Sequence, residues 1–259
     1  MNILITGVAS GIGEAIKKVF IDNNHLVFGI DINATNNDYQ ADITNKEDLE
    51  KIKNDLISNN IKLDMIINVA GVHRMASLVE SDYHMMKKVI DINLCGTMLV
   101  NKMFFELLNN NGRIIIVTSE VASFDPMPFN GLYNISKTAL DCYAQALRQE
   151  VNLLNKKVIT IRPGAVETNL SNNSLNDTKE LANNTVLYHK QAHKFLNLVM
   201  KFMGKPMKVE KMAKFIYKVS IKKHPKLIYK KHQNIGLVLL SILPKRLQCF
   251  IIKSLLNSK

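Results

Sequence analysis

The sequence predicts an α/β fold: a doubly wound parallel sheet with helices on both faces. Short apolar runs alternate with longer stretches of helical period, the rhythm of repeated βα units. Several runs, such as Arg113-Ile114-Ile115-Ile116-Val117, are apolar throughout rather than alternating. Such strands suit a parallel sheet covered on both faces. No internal repeat and no Pro/Gly-rich linker divides the 259 residues, so one domain is expected.

Strands are expected near 2–6, 26–30, 38–41, 64–68, 113–118, 157–162 and 226–230, and helices near 11–23, 46–59, 83–109, 131–155 and 209–222. Residues 170–208 form a long excursion after the sixth strand. They open on the turn formers Ser171-Asn172-Asn173-Ser174 and then become helix-permissive and apolar around Phe195–Met203, and so long an excursion suits a lid or binding loop. The end, 234–257, reads as two short amphipathic helices broken at Pro244.

Composition excludes several classes. Hydrophobic residues make up 47% and charged residues 22%, enough for a large core and against general disorder. Cys95, Cys142 and Cys249 lie far apart, in neither a disulfide framework nor a zinc spacing, which fits a reducing cytoplasm. The chain opens directly on an apolar strand, so no signal or transit peptide is expected, and no apolar run is long enough to span a bilayer. The net charge of +12 is unevenly placed. Residues 1–189 carry 17 Lys and Arg against 21 Asp and Glu, whereas residues 190–259 carry 17 basic groups against Glu210 alone. No nucleic-acid motif or aromatic-studded basic face accompanies that charge, so nucleic acid is not an expected partner. The basic quarter is a solvated surface first, with weak membrane-surface contact as its sharper reading.

The first strand runs straight into Gly7-Val8-Ala9-Ser10-Gly11-Ile12-Gly13, where a helix begins. A tight strand-to-helix turn needs positive φ, and a pyrophosphate needs backbone without an intruding Cβ. The helix N-terminus adds free N–H groups and partial positive charge, so the loop reads as a dinucleotide site. Asp31 closes the second strand, placed to accept the hydroxyls of an adenosine ribose, with Ile32 after it. No Arg or Lys stands nearby to offset its charge against a 2′-phosphate, which favours NAD(H) over NADP(H). Further along, Tyr133 and Lys137 stand four apart at the start of a helix and share a face. A neighbouring cation favours the phenolate, so such a Tyr can serve as general acid or base.

With these pieces in place, the chain resembles the short-chain dehydrogenases/reductases over about residues 1–230. The matching segments run in family order: Thr6-Gly7 with Gly11-Ile12-Gly13; Ala41-Asp42-Ile43; Asn68-Val69-Ala70-Gly71; Asn93; Ser119; Tyr133 with Lys137; and Pro163-Gly164 with Thr168. The resemblance implies a Rossmann-like sheet of about seven strands and hydride transfer to or from a nicotinamide, between a secondary alcohol and a ketone. It implies Tyr133 as proton donor or acceptor, Lys137 as the group that lowers its pKa and holds the nicotinamide ribose, and Ser119 as hydrogen-bond donor to the substrate oxygen. By the same resemblance Asn93 would help hold a water in a proton relay to Lys137. Asp42 and Ile43 contact adenine, Asn68 braces the sheet beside Ala70 and Gly71, and Val166 and Thr168, after Pro163 and Gly164, bind the carboxamide. On this reading 1–230 is the catalytic domain and 231–259 a helical extension of it.

Two departures stand out. Val69 replaces a second Asn, and the Asp-Gly-Gly ending of many tetrameric members is absent. The second lowers the case for a 3-oxoacyl thioester reductase and for a tetramer made through that end; a homodimer or higher homo-oligomer stays expected. A non-catalytic NAD(H)-binding redox sensor is the rival class, although it need not keep all four of Asn93, Ser119, Tyr133 and Lys137. Met127, Phe129, Phe195, Leu198, Met203 and Met207 predict an apolar pocket, hence a steroid-like or other lipophilic substrate. His189 and His193 are four apart but lack a third ligand, so no metal is expected.

Overall fold

The computed structural model describes residues 1–257 other than Asn36 and Met203; the expected pocket residue Met203 thus lies outside the described residues. Among the described residues the strands are β1 (Asn2–Thr6), β2 (Leu26–Asp31), β3 (Tyr39–Gln40), β4 (Leu63–Asn68), β5 (Leu108–Val117), β6 (Lys157–Pro163) and β7 (Ile228–Lys231). They form one parallel sheet in the order β3-β2-β1-β4-β5-β6-β7. The order reverses between β1 and β4, where Thr6 is registered with Asn68. Ligands of open α/β sheets bind at the carboxyl ends of strands at such a reversal.

Alternate residues of the apolar strands feed two cores, which is why they do not alternate with polar ones. Leu4, Ile66, Ile114, Ile116 and Val158 pack with side chains of α2 (Lys46–Ser58), α4 (Thr97–Phe104) and α5 (Gly131–Asn152). Ile3, Ile5, Met65, Ile67, Ile115 and Ile161 pack on the other face with α1 (Gly11–Asp22) and α8 (Val209–Ser220). Full burial of a side chain such as Phe20, Ile16 or Ile216 contributes roughly 1.5–3 kcal/mol.

Two expectations need correction. The helix expected over 83–109 is broken. After α3 (Tyr83–Ile90) the chain widens into a π-helical turn, Asp91–Gly96, before α4 resumes, and β5 starts at Leu108. The wide turn carries Asn93 inward and sets Gly96 against Ile43, where a Cβ would come within 2.8 Å of the Ile43 side chain. In the excursion 170–208 the polar opening, expected as turn, already belongs to α6 (Asn169–Asn184), while the helix-permissive part that follows holds α7 (His189–Phe202) as expected. Met75, Phe129, Ala182, Ala192, Phe195 and Leu256 form a third apolar cluster there. The last of these belongs to α10 (Lys245–Asn257), which follows α9 (Ile235–Ile242) after Leu243-Pro244.

Candidate active site

A cleft of about 810 Å³ lies over the carboxyl ends of the strands. Its wall includes Gly7, Ser10, Gly11, Ile12, Gly13, Asp31, Ile32, Asp42, Ile43, Ala70 and Gly71. It also includes Ser119, Tyr133, Lys137, Pro163, Gly164, Val166 and Thr168. Asn68 and Asn93, also expected at the site, stand behind this wall. Asn68 Nδ2 donates to Asn101 Oδ1 at 2.9 Å, bracing the sheet from inside.

The glycines behave as the loop chemistry requires. Gly7 adopts φ +78°, and a Cβ on Gly13 would sit 1.9 Å from the Gly7 carbonyl oxygen, so neither position admits a side chain. Gly11 has φ +58°, and its missing Cβ would stand 3.4 Å from the Thr168 methyl across the cleft. That bare cradle at the start of α1 fits a dinucleotide pyrophosphate. Asp31 lies at the rim: Oδ2 accepts from Ala9 N at 3.0 Å and Oδ1 from Asn33 N at 2.9 Å. Each oxygen retains a lone pair for a hydroxyl. Asp42 is turned to Thr44, accepting from its N–H and its hydroxyl at 2.8 Å each.

At the other end, Tyr133 and Lys137 project from one face of α5 and both are buried. Ser119 lines the cleft beside Tyr133, its Oγ accepting from Val121 N at 3.4 Å, while the Lys137 ammonium stands 5.8 Å from the phenol ring centre. Burial dominates their chemistry. It pushes the Tyr133 phenol up to about 12, against the lowering influence of Ser119. It pulls the Lys137 ammonium down to about 8. Burial outweighs the influence of Ser119, and the nearby Glu120 carboxylate raises the phenol further, so the lowering expected from Lys137 does not appear here. Space for the ammonium comes from Gly71, where a Cβ would lie 2.9 Å from Asn93 Oδ1 and 3.2 Å from Lys137 Nζ.

Asn93 ties these parts together. Its Oδ1 accepts from Val72 N at 2.8 Å, and its Nδ2 donates to Val72 O and Ser136 Oγ at 2.9 Å each. The side chain is thus committed to the strand-end loop and α5, and its backbone carbonyl accepts from Thr97 Oγ1 at 3.4 Å. Arg162 holds α5 from the far side, with Nε and a terminal nitrogen 2.8 and 2.5 Å from the two Asp141 oxygens.

Sequence reasoning gives no role to two residues beside the predicted ones. His73 packs on Tyr133, and its Nε2 lies 3.1 Å from Asn130 Oδ1. Glu120, next to Ser119, is buried and accepts from Asn234 N at 2.6 Å, tying α9 to the cleft. Adjacency to Gly71 and Ser119 was the only available signal. The apolar wall is Met75, Met127, Phe195, Leu198 and Val199, completed by Leu237, Ile252 and Leu256 of the last two helices. Phe129 packs behind it, and Met207 pairs with Val166 instead of lining it. His189 and His193 stack on α7 with rings 4.6 Å apart, outside the cleft wall.

Fold and site define a nucleotide-dependent oxidoreductase, and the comparisons agree. Residues 1–179 match the family model described as short chain dehydrogenase. The NADPH-dependent 1-acyldihydroxyacetone phosphate reductase of Schizosaccharomyces pombe is 30% identical over 200 residues, covering 72% of this chain and 67% of that protein. The 3-ketodihydrosphingosine reductase of Bacteroides thetaiotaomicron is 25% identical over 230 residues, covering 86% of this chain and 84% of that one. A short-chain dehydrogenase structure from Streptomyces avermitilis superposes with a TM-score of 0.74 at 16% identity, covering 98% of this chain and 96% of that one. The chain belongs to the short-chain dehydrogenase family and is an NAD(P)-dependent oxidoreductase.

Proposed function

We propose that the chain interconverts a secondary alcohol and a ketone on a lipophilic substrate, with Tyr133, Lys137, Ser119 and Asn93 as the working residues. The carrying observation is that the buried Tyr133 and Lys137 line one cleft together with Ser119. Bound in the cradle at Gly7–Gly13, the nicotinamide cofactor supplies or accepts the hydride.

In the reducing direction Tyr133 gives its proton to the carbonyl oxygen while Ser119 donates a hydrogen bond to the same oxygen. In the oxidising direction Tyr133 takes the alcohol proton. A phenol held up near 12 keeps its proton at neutral pH, which suits the acid role, and substrate binding must shift that balance for the reverse. Lys137, pulled down to about 8, gives up a proton readily and can refill Tyr133. Asn93 is a positioning residue: its amide fixes Val72 and Ser136 around the ammonium.

Asp31 supports NAD(H) over NADP(H), because its carboxylate repels a 2′-phosphate, and the lysines among the described lining residues, Lys88 and Lys137, belong to α3 and α5 rather than to the loop after Asp31. The apolar wall supports a lipophilic substrate, and two relatives are named for ketones, 1-acyldihydroxyacetone phosphate and 3-ketodihydrosphingosine. A homo-oligomer is supported by a separate groove on α4 and α5, lined by Met98, Leu99, Phe105 and Leu154. The test is oxidation of NADH, and of NADPH in parallel, across steroids, quinones, aliphatic ketones, keto-sugars and acyl thioesters. Turnover with NADH, lost in Tyr133→Phe, is expected. Undiminished turnover in Tyr133→Phe overturns the mechanism, and preference for NADPH overturns the Asp31 reading alone.

A further inference from the structure

We infer that the outer sides of α9 and α10 form a docking surface for an anionic lipid bilayer. In α9, Ile-Gly-Leu-Val-Leu-Leu-Ser-Ile, no residue is buried. Ile235, Leu239 and Ile242, spaced i, i+4 and i+7 on one helical face, are 74%, 61% and 72% exposed. On α10, Phe250 is 67% exposed and Leu247 stands open one turn before it. A helix apolar all round is ordinarily enclosed. Here one side is accounted for, since Leu237 lines the cleft, and the opposite side faces outward.

The charge around this face selects the occupant. Residues 231–257 contain Lys231, Lys245, Arg246 and Lys253 and no Asp or Glu, and of these Lys245 is paired with Asp125. Arg246 and Lys253 are exposed on α10, and Lys226 and Lys230 are exposed on and before β7. A second copy seated symmetrically on this face would bring two such basic surfaces together, a like-charge contact. An anionic lipid surface complements both the cations and the apolar side chains between them. Geometry agrees: α9 has 8 residues and α10 has 13, and among the described residues no helix is long and apolar enough to cross a membrane. Short helices of this kind lie in the interface plane. Docked so, the bilayer meets the helices that supply Leu237, Ile252 and Leu256 to the cleft wall. This inference stands apart from the chemistry at Tyr133 and does not depend on it.

The test is co-sedimentation of the full chain with vesicles of phosphatidylcholine alone and of equal parts phosphatidylcholine and phosphatidylglycerol. Binding is expected to the mixed vesicles only, and to weaken about tenfold as NaCl rises from low to high concentration. Leu239→Glu with Phe250→Glu is expected to weaken it about tenfold again. Arg246→Glu with Lys253→Glu, at exposed sites, reads the same surface without touching the packing. Thermal melting and NADH binding, followed in parallel, report that each variant is folded. No binding to the mixed vesicles, or equal binding by folded variants, overturns the inference. So does a dimer in sedimentation equilibrium that Leu239→Glu with Phe250→Glu dissociates, because a second copy then covers the face.

Discussion

The His73 imidazole lies against the Tyr133 phenol, with ring centroids 4.3 Å apart and planes inclined by 53°. Its Nε2 is engaged by Asn130, and its buried Nδ1 has no protein partner among the described residues. Burial pulls the imidazole down to about 4, so it is neutral wherever the enzyme works. In the unfolded chain the ring takes up a proton near 6.5. Between pH 6.5 and 4 the unfolded state therefore binds more protons, and stability falls as pH falls, by roughly 1.4 kcal/mol per unit at most. His73→Phe keeps a ring against Tyr133 and removes the titration. Melting curves from pH 7 to 4 should fall less steeply for the variant; parallel curves would show that the ring is not held neutral.

Lys137 gives the mirror case on the alkaline side. Its ammonium titrates near 8 when folded and near 10.5 when unfolded. Above pH 8 the unfolded chain again holds the extra proton, so stability contributed at this site rises with pH through that window. The raised Tyr133 phenol opposes this only as pH approaches 10, where the unfolded phenol begins to lose its proton while the folded one keeps it. Lys137→Met should lose this rise, by roughly 1.4 kcal/mol per pH unit between 8 and 10. Denaturant melts at pH 8, 9 and 10 provide the check. An equal pH response in both proteins would mean that the ammonium is better solvated than its burial implies.

The cofactor loop and the Tyr133–Lys137 face were legible because their chemistry is local: Gly7, Gly11 and Gly13 answer to backbone geometry, and a helical i, i+4 pair needs only its own helix. The sheet was legible because Ile114–Val117 is apolar on both faces. The π turn at Asp91–Gly96 was not, since it is fixed by Ile43, Val72 and Ser136, all distant in sequence from Asn93. The balance at Tyr133 was hidden for a similar reason. A Tyr–Lys spacing says which charges are neighbours, but desolvation depends on every element that closes over them. Nor could the pattern of 170–208 reveal that its polar opening is helical, because α6 is held by residues 74–80 rather than by its own periodicity.

Asp31 offers a direct test of cofactor choice. With its oxygens each holding one backbone N–H, the carboxylate is fixed at the rim rather than free to swing away from a 2′-phosphate. Asp31→Ser should weaken NADH binding about tenfold, the loss of charge-assisted bonds to the ribose, and strengthen NADPH binding. Fluorescence titration with both nucleotides measures the ratio, and an unchanged ratio removes Asp31 from the argument.

The last prediction concerns the hold on α6 and α7. Glu80 accepts from the Thr185 hydroxyl at 2.6 Å and from Val186 N and Leu187 N at 2.9 Å each, gathering the connection between the two helices. Six residues earlier, Arg74 reaches Asp177 at 2.6 Å and Glu180 at 3.2 Å on α6, while Met75 N donates to Asp177. One short segment after β4 therefore grips the helical pair at two places, and that pair supplies Phe195, Leu198 and Val199 to the cleft. The bonds to Thr185 and Leu187 hold the Glu80 carboxyl below its ordinary range, so the grip persists at neutral pH and is lost only on acidification. Glu80→Gln keeps the size but weakens the acceptor. Amide exchange at Val186, Leu187 and Tyr188 should then quicken about tenfold while β1, β4 and β5 are unaffected, because local opening is set by local bonds. KM should rise more than kcat falls, since the wall that meets the substrate loosens while Tyr133 and Lys137 on α5 stay in place. A matched loss in kcat with unchanged exchange would instead place Glu80 in the chemistry itself.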